Sequence, residues 1–146
     1  ENVKKYSKCW TLVHGDCHPG NVLVNKSGES RLIDFEMVGL GSGPQDLGQF
    51  MISHTTPSER RAIEKQAVKE YHIQLSEHLR KRRISTGDFK SCWEEYVQGG
   101  AGRWLWFVSY LAIVCPPAVA NFFMAQTDAF LRDHIPDPSN APAMRV

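Results

Sequence analysis

The sequence predicts a mainly helical α+β domain in which a small β-hairpin carries a polar loop. Three observations support that class. Short β-branched stretches are confined to residues 10–35, apolar residues recur at helical spacing from Asp46 onward, and Pro, Gly and capping residues mark the boundaries between helices.

Trp10-Thr11-Leu12-Val13 reads as a short strand. Asn21-Val22-Leu23-Val24-Asn25 reads as a second and Arg31-Leu32-Ile33-Asp34-Phe35 as a third, joined by the turn Lys26-Ser27-Gly28-Glu29, where Gly28 supplies a positive φ at no steric cost. A turn centred between Ser27 and Gly28 sets the register. Lys26 then faces Glu29, Val24 faces Arg31, Val22 faces Ile33 and Asn21 faces Asp34. Opposed residues have Cβ atoms about 4.5–5.5 Å apart, and Mg²⁺ takes oxygen ligands at about 2.1 Å, so one ion would reach both Asn21 and Asp34.

Gly39-Leu40-Gly41-Ser42-Gly43 lacks the preceding strand that a phosphate loop requires and reads as a flexible connector. Helices follow. Asp46 to about His54 places Leu47, Phe50 and Met51 on one side, and Thr56-Pro57-Ser58-Glu59 announces the next helix with a capping box. That helix is expected to run to about Arg82 with Ile63, Ala67, Tyr71, Leu75 and Leu79 buried. Ser85-Thr86-Gly87-Asp88 starts another, with Phe89, Trp93, Tyr96 and Val97 inward and a break or kink at Gly99-Gly100-Ala101-Gly102. Trp104 to Cys115 is the most apolar run, but it spans twelve residues and ends at Pro116-Pro117. A membrane span needs about twenty, so a buried helix is expected. Ala118 to about Arg132 forms the last helix, and residues 136–146, with three prolines, form a loose tail.

The chemistry concentrates in His14-Gly15-Asp16-Cys17-His18-Pro19-Gly20-Asn21 and Ile33-Asp34-Phe35-Glu36. An Asp, an Asn five residues on and a second Asp thirteen beyond are the polar groups of a phosphoryl-transfer site in the order it needs them: one carboxylate to orient a hydroxyl and two oxygen ligands for a metal.

These motifs resemble the aminoglycoside phosphotransferase and choline kinase-like group, small-molecule kinases of protein-kinase-like fold. The stretch from His14 to Val24 carries the resemblance, with Cys17 where a Leu is common; protein kinases match less well, since they have Arg at Gly15 and Gly at Glu36. The resemblance implies Asp16 as catalytic base, Asn21 and Asp34 as Mg²⁺ ligands on ATP, and a small hydroxyl-bearing acceptor. Asp46, in a Pro44-Gln45-Asp46-Leu47-Gly48 segment like the family's, is expected to brace the catalytic loop or to cap its helix, and His14 to pack beneath that loop. Glu36 admits two readings, a second metal or acceptor contact and a surface residue.

On this resemblance residues 1–135 form a kinase-like C-terminal lobe, with 10–36 as catalytic loop and metal-binding hairpin and 46–132 as helical subdomain. The glycine-rich loop, ATP-positioning Lys and partner Glu belong upstream of the motif, where thirteen residues leave no room, so an N-lobe is expected to be missing. The fragment alone is expected to be inactive. The competing expectation is a non-catalytic, pseudokinase-like scaffold.

Seventeen Lys and Arg against sixteen Asp and Glu give a net charge of +1, which offers no argument for nucleic acid or an anionic membrane. Four cysteines without CxxC spacing suit reduced thiols in a cytoplasmic protein. His14, Cys17 and His18 crowd into five residues with no second ligand pair, which argues against zinc. For the acceptor, Glu94, Glu95 and Asp128 would suit a polyamine, and Trp93, Trp104, Trp106 and Tyr110 a quaternary ammonium such as choline.

Overall fold

A computed structural model describes residues 10–137, so the expected tail beyond Asp137 and Cys9 lie outside the described residues. Four strands and four helices follow in order: β1 (Trp10–Val13), β2 (Val22–Val24), β3 (Ser30–Leu32), β4 (Gly39–Ser42), α1 (Pro44–His54), α2 (Pro57–Arg80), α3 (Phe89–Val114) and α4 (Pro117–His134). The class is mainly helical α+β, consistent with a kinase-like lobe. No helix of the described residues is long and apolar enough to cross a membrane.

The strands make two separate antiparallel pairs, β1 with β4 and β2 with β3. The first was not foreseen. Gly39–Ser42 is a strand rather than a flexible connector, with Trp10 opposite Ser42 and Val13 opposite Gly39. The glycines admit close neighbours: a Cβ at Gly41 would lie 2.7 Å from Gln45 Oε1 and 3.0 Å from Val13 Cγ2.

The hairpin forms with a register one residue away from that expected. Val22 pairs with Leu32, Leu23 with Arg31 and Val24 with Ser30. Asn25 causes the shift. Its Oδ1 accepts the Ser27 and Glu29 N–H groups and the Ser27 hydroxyl, while its backbone closes the loop with Gly28 and Glu29, so the connection is a five-residue loop organised by an Asx side chain. Continuing this register, Ile33 N–H donates to the Asn21 carbonyl at 3.0 Å. Ile33, not Asp34, therefore stands opposite Asn21. β3 also ends at Leu32: Asp34 has φ 62° and ψ 66°, and Phe35–Met37 forms a 3-10 turn.

α1 begins at Pro44 with Gly43 in the N-cap position, which puts Asp46 in the first turn rather than at the cap. α2 opens with the expected capping box of Thr56 and Glu59, with Pro57 in the first turn. Its buried face is turned from the expected stripe. Arg60, Glu64 and Val68 are the buried residues, Ile63 is exposed, and Ala67 and Tyr71 pack at the core's edge. Buried charges displaced the apolar phase because their partners lie on α3 and α4.

α3 is continuous from Phe89 to Val114, through Gly99, Gly100 and Gly102, so the expected break is absent. Those glycines serve contact instead. A Cβ at Gly48 would lie 2.7 Å from Gly100 Cα and 2.9 Å from the Tyr96 carbonyl oxygen. Two helix backbones thus meet where α1 crosses α3, and neither neighbour is a side chain able to turn aside. Gly48→Ala is expected to cost about 1–3 kcal/mol by overpacking, read as a lower denaturant midpoint at unchanged slope. An unchanged midpoint would contradict the crossing.

The core gathers Met51, Ile52, Val68, Tyr96, Ala101, Trp104 and Phe130 between the helices. It fixes α1 as the element against which the polar loop is built.

Candidate active site

The loop from His14 to Asn21 leaves β1 and returns into β2, and its course depends on Gly15. With φ 78°, and with Met37 O only 2.1 Å from where a Cβ would stand, no other residue fits there. The 3-10 turn Pro19–Asn21 then lifts Asn21 into a buried position, with His18 Nδ1 accepting the Gly20 N–H at 3.1 Å.

Two side chains hold this loop from below. Asp46 accepts the His14 N–H at 2.7 Å through Oδ2 and the Gly15 N–H at 3.1 Å through Oδ1. Of the two roles expected for Asp46, the brace is the one the hydrogen bonds describe. His14 is buried, its Nδ1 accepts the Asp16 N–H at 3.3 Å and its Nε2 lies 2.8 Å from the Ile33 carbonyl oxygen. A proton on Nε2 satisfies both contacts, so one imidazole links the loop to the residue before Asp34. Its ring also packs on Phe35 at 4.8 Å. With both nitrogens engaged, His14 has no lone pair for zinc.

Asp16 is held by neutral donors. Gln49 Nε2 donates to Oδ1 at 3.0 Å, and Asn21 Nδ2 donates to the Asp16 carbonyl oxygen at 3.0 Å and lies 3.4 Å from Oδ2. His18 Nε2 stands 3.5 Å from the same Oδ2. Because His18 Nδ1 accepts from Gly20, Nε2 carries the proton and presents a donor to the carboxylate.

A cavity of about 280 Å³ opens beside this carboxylate. Its polar rim is Asp16, His18, Gln49, Ser53 and His54, and its wall is Trp104, Phe107, Leu111 and Phe123. His18 and His54 stack at 5.8 Å, and Trp104 stacks on Phe123 at 5.0 Å. Burial, with His18 adding to it, holds the His54 imidazole below its ordinary value. Burial, reinforced by the Asp46 and Asp16 carboxylates, pushes the Cys17 thiol up to about 11. Cys17 is therefore a thiol at neutral pH and no nucleophile.

Asn21 uses its amide nitrogen on Asp16, which leaves the amide oxygen as the atom a metal would take. Asp34 is exposed and its side chain makes no capping bond. Left-handed backbone at a non-glycine residue costs about 1–3 kcal/mol, and here it swings Asp34 out of the strand's alternation. An amide oxygen and a carboxylate are hard donors that suit Mg²⁺. Glu36 is exposed in the adjoining 3-10 turn.

Neither expected acceptor set assembles at Asp16. Asp128 bonds Arg132 at 2.7 Å, Glu94 lies 3.9 Å from Lys90, and Glu95 accepts the Ser42 hydroxyl beside a different groove. Of the four aromatics only Trp104 reaches the cavity; Trp93 packs against Tyr96 and His134, and Trp106 and Tyr110 stack on each other outside. Gln49, Ser53, His54, Phe107, Leu111 and Phe123 were not foreseen. One signal was available: Asp46, Gln49 and Ser53 recur at helical spacing on this helix.

The family model of the ecdysteroid kinase-like family matches residues 2–84, more than half of the chain. No curated protein and no solved structure matches it. That family lies within the protein-kinase-like superfamily, so the coarser part of the resemblance holds, while the aminoglycoside phosphotransferase or choline kinase-like assignment gains no separate support. On its motifs, its helical lobe and this match, the chain belongs to the ecdysteroid kinase-like family.

Proposed function

We propose that the chain is the acceptor-binding and catalytic lobe of a small-molecule kinase that moves the γ-phosphoryl group of ATP to an alcohol. The observation that carries this reading is the Asp16 carboxylate, fixed by Gln49 and Asn21 at the edge of an apolar cavity. An attacking hydroxyl in that cavity would donate to Asp16, which orients it and takes its proton as the new P–O bond forms and the bond from the γ-phosphorus to the β-phosphate oxygen breaks, releasing ADP. Asn21 and Asp34 would hold Mg²⁺, which when bound balances the charge of the phosphates. His14 and Asp46 keep the loop in place while these groups act. An upstream N-lobe would supply the remaining ATP contacts, and a cytoplasmic location would supply ATP.

The cavity wall favours an apolar acceptor over a polyamine. Among the described residues, four apolar side chains line it and no carboxylate other than Asp16 does. At about 280 Å³ it lies at the small end for ligand pockets, which suits the reacting end of a larger molecule. The family's name points to an ecdysteroid, a hydroxylated ring system of this character. The assay is Mg²⁺-dependent ADP release by the full-length protein with ecdysteroids, aminoglycosides and choline. Turnover with the ecdysteroid alone is expected; turnover only with a cationic acceptor would reject the apolar reading.

A further inference from the structure

We propose that Gln49 is a positioning residue for the catalytic carboxylate, a role that rests on the reading of Asp16 as the base. Gln49 is buried to 3% exposure on α1, with Gly48 and Gly100 pressed together one residue away. That crossing fixes the rotation of α1 and so the direction of the Gln49 side chain. Trp104 Nε1–H donates to the Gln49 carbonyl at 3.4 Å and ties the same residue to the cavity wall.

A buried amide left without a partner costs about 1–3 kcal/mol, so an apolar side chain would be the cheaper choice at this place in the core. Gln49 instead sends Nε2 to Asp16 Oδ1 at 3.0 Å. Three residues earlier on the same helix face, Asp46 holds the backbone of His14 and Gly15. α1 therefore fixes the loop twice, its main chain through Asp46 and its reacting side chain through Gln49. The consequence is orientational. Asn21 and His18 approach only Oδ2, so among the described residues Gln49 alone donates to Oδ1. Without it the carboxylate would be held only by the longer contacts to Oδ2, 3.4 Å from Asn21 and 3.5 Å from His18, and a misplacement near 1 Å at a reacting group can cost about a hundredfold in rate.

The test uses the full-length protein and its acceptor. Gln49→Met, similar in size but without the N–H, is expected to lower kcat by about tenfold to a hundredfold while KM for ATP stays within about twofold. Gln49→Glu, of the same length, is expected to lose as much and serves if the methionine variant does not fold. A second readout needs no Gln49 variant. With ¹⁵N-labelled glutamine, the Gln49 side-chain amide protons are expected downfield in the wild type and to move upfield on Asp16→Asn. A kcat within twofold of wild type, or an amide resonance unmoved by Asp16→Asn, overturns the proposal. If Asp16→Asn itself leaves turnover intact, the assignment of Asp16 has failed. If it abolishes turnover while Gln49→Met does not, only the role of Gln49 has failed.

Discussion

Asp16→Asn in the full-length protein is expected to lower kcat by about 10²–10⁴, the range general-base groups contribute, with KM for ATP changed by less than about threefold and the melting temperature nearly kept. The substitution is isosteric, so the Oδ1 that accepts from Gln49 and the backbone oxygen that accepts from Asn21 remain. What disappears is the negative charge and the basicity at the cavity's edge. Asp34→Asn provides the contrast. Its side chain is exposed and takes no part in the loop's bonds, so its loss is expected to appear as a raised Mg²⁺ requirement rather than a lower rate at saturating metal. Steady-state kinetics at varied Mg²⁺ separates the two. A kcat for Asp16→Asn within tenfold of wild type would remove Asp16 from the chemistry.

The loop was legible because its determinants are local. Gly15, Pro19 and Gly20 bend a chain of eight residues, and the polar groups follow at fixed spacing within it. The hairpin was legible in kind but not in register, because one side chain, Asn25, captured three donors and enlarged the turn. Such a choice among near-equal loop geometries is decided by a few hydrogen bonds. The helices were legible from their caps, at Thr56 and Asp88 above all. The inward residues of α3 were legible too, but the buried face of α2 was not, because Arg60 and Glu64 turn inward to partners on α3 and α4. The cavity could not be read from spacing, since Trp104, Phe107 and Phe123 reach Asp16 only after three helices have packed.

Arg60→Met is expected to destabilise the domain by about 3–5 kcal/mol, the cost of stripping one partner from a buried ion pair. Arg60 is 2% exposed and its guanidinium reaches Glu64 at 2.8 Å and Asp133, while lying 5.0 Å over the Phe130 ring. It thereby joins α2 to α4. Glu64, itself buried, also accepts from Tyr96 of α3 at 2.9 Å and stands 3.1 Å from His134 Nε2. Burial opposes the ionisation of Glu64 as the largest single influence, yet the hydrogen bonds from His134, Arg60 and Tyr96 outweigh it and hold the carboxyl below its ordinary 4.5. Hydrogen bonds from Arg61 and then Arg60 hold Asp133 below its ordinary 3.8 in the same way. A carboxyl depressed in the folded state stabilises above its unfolded value, and that stability is lost as pH falls through the folded one. Wild type is therefore expected to lose stability progressively below about pH 4.5. Arg60→Met, having already lost a bond that favours the Glu64 carboxylate, is expected to melt lower at pH 7 and to change less between pH 7 and pH 4. The double variant Arg60→Met with Glu64→Leu separates the cost of the orphaned charge from that of lost packing. Recovery of part of the loss assigns it to the unpaired carboxylate, because an apolar replacement of both partners leaves no buried charge to solvate. Equal melting of Arg60→Met and wild type at pH 7 would mean that the network orders the helices without stabilising them.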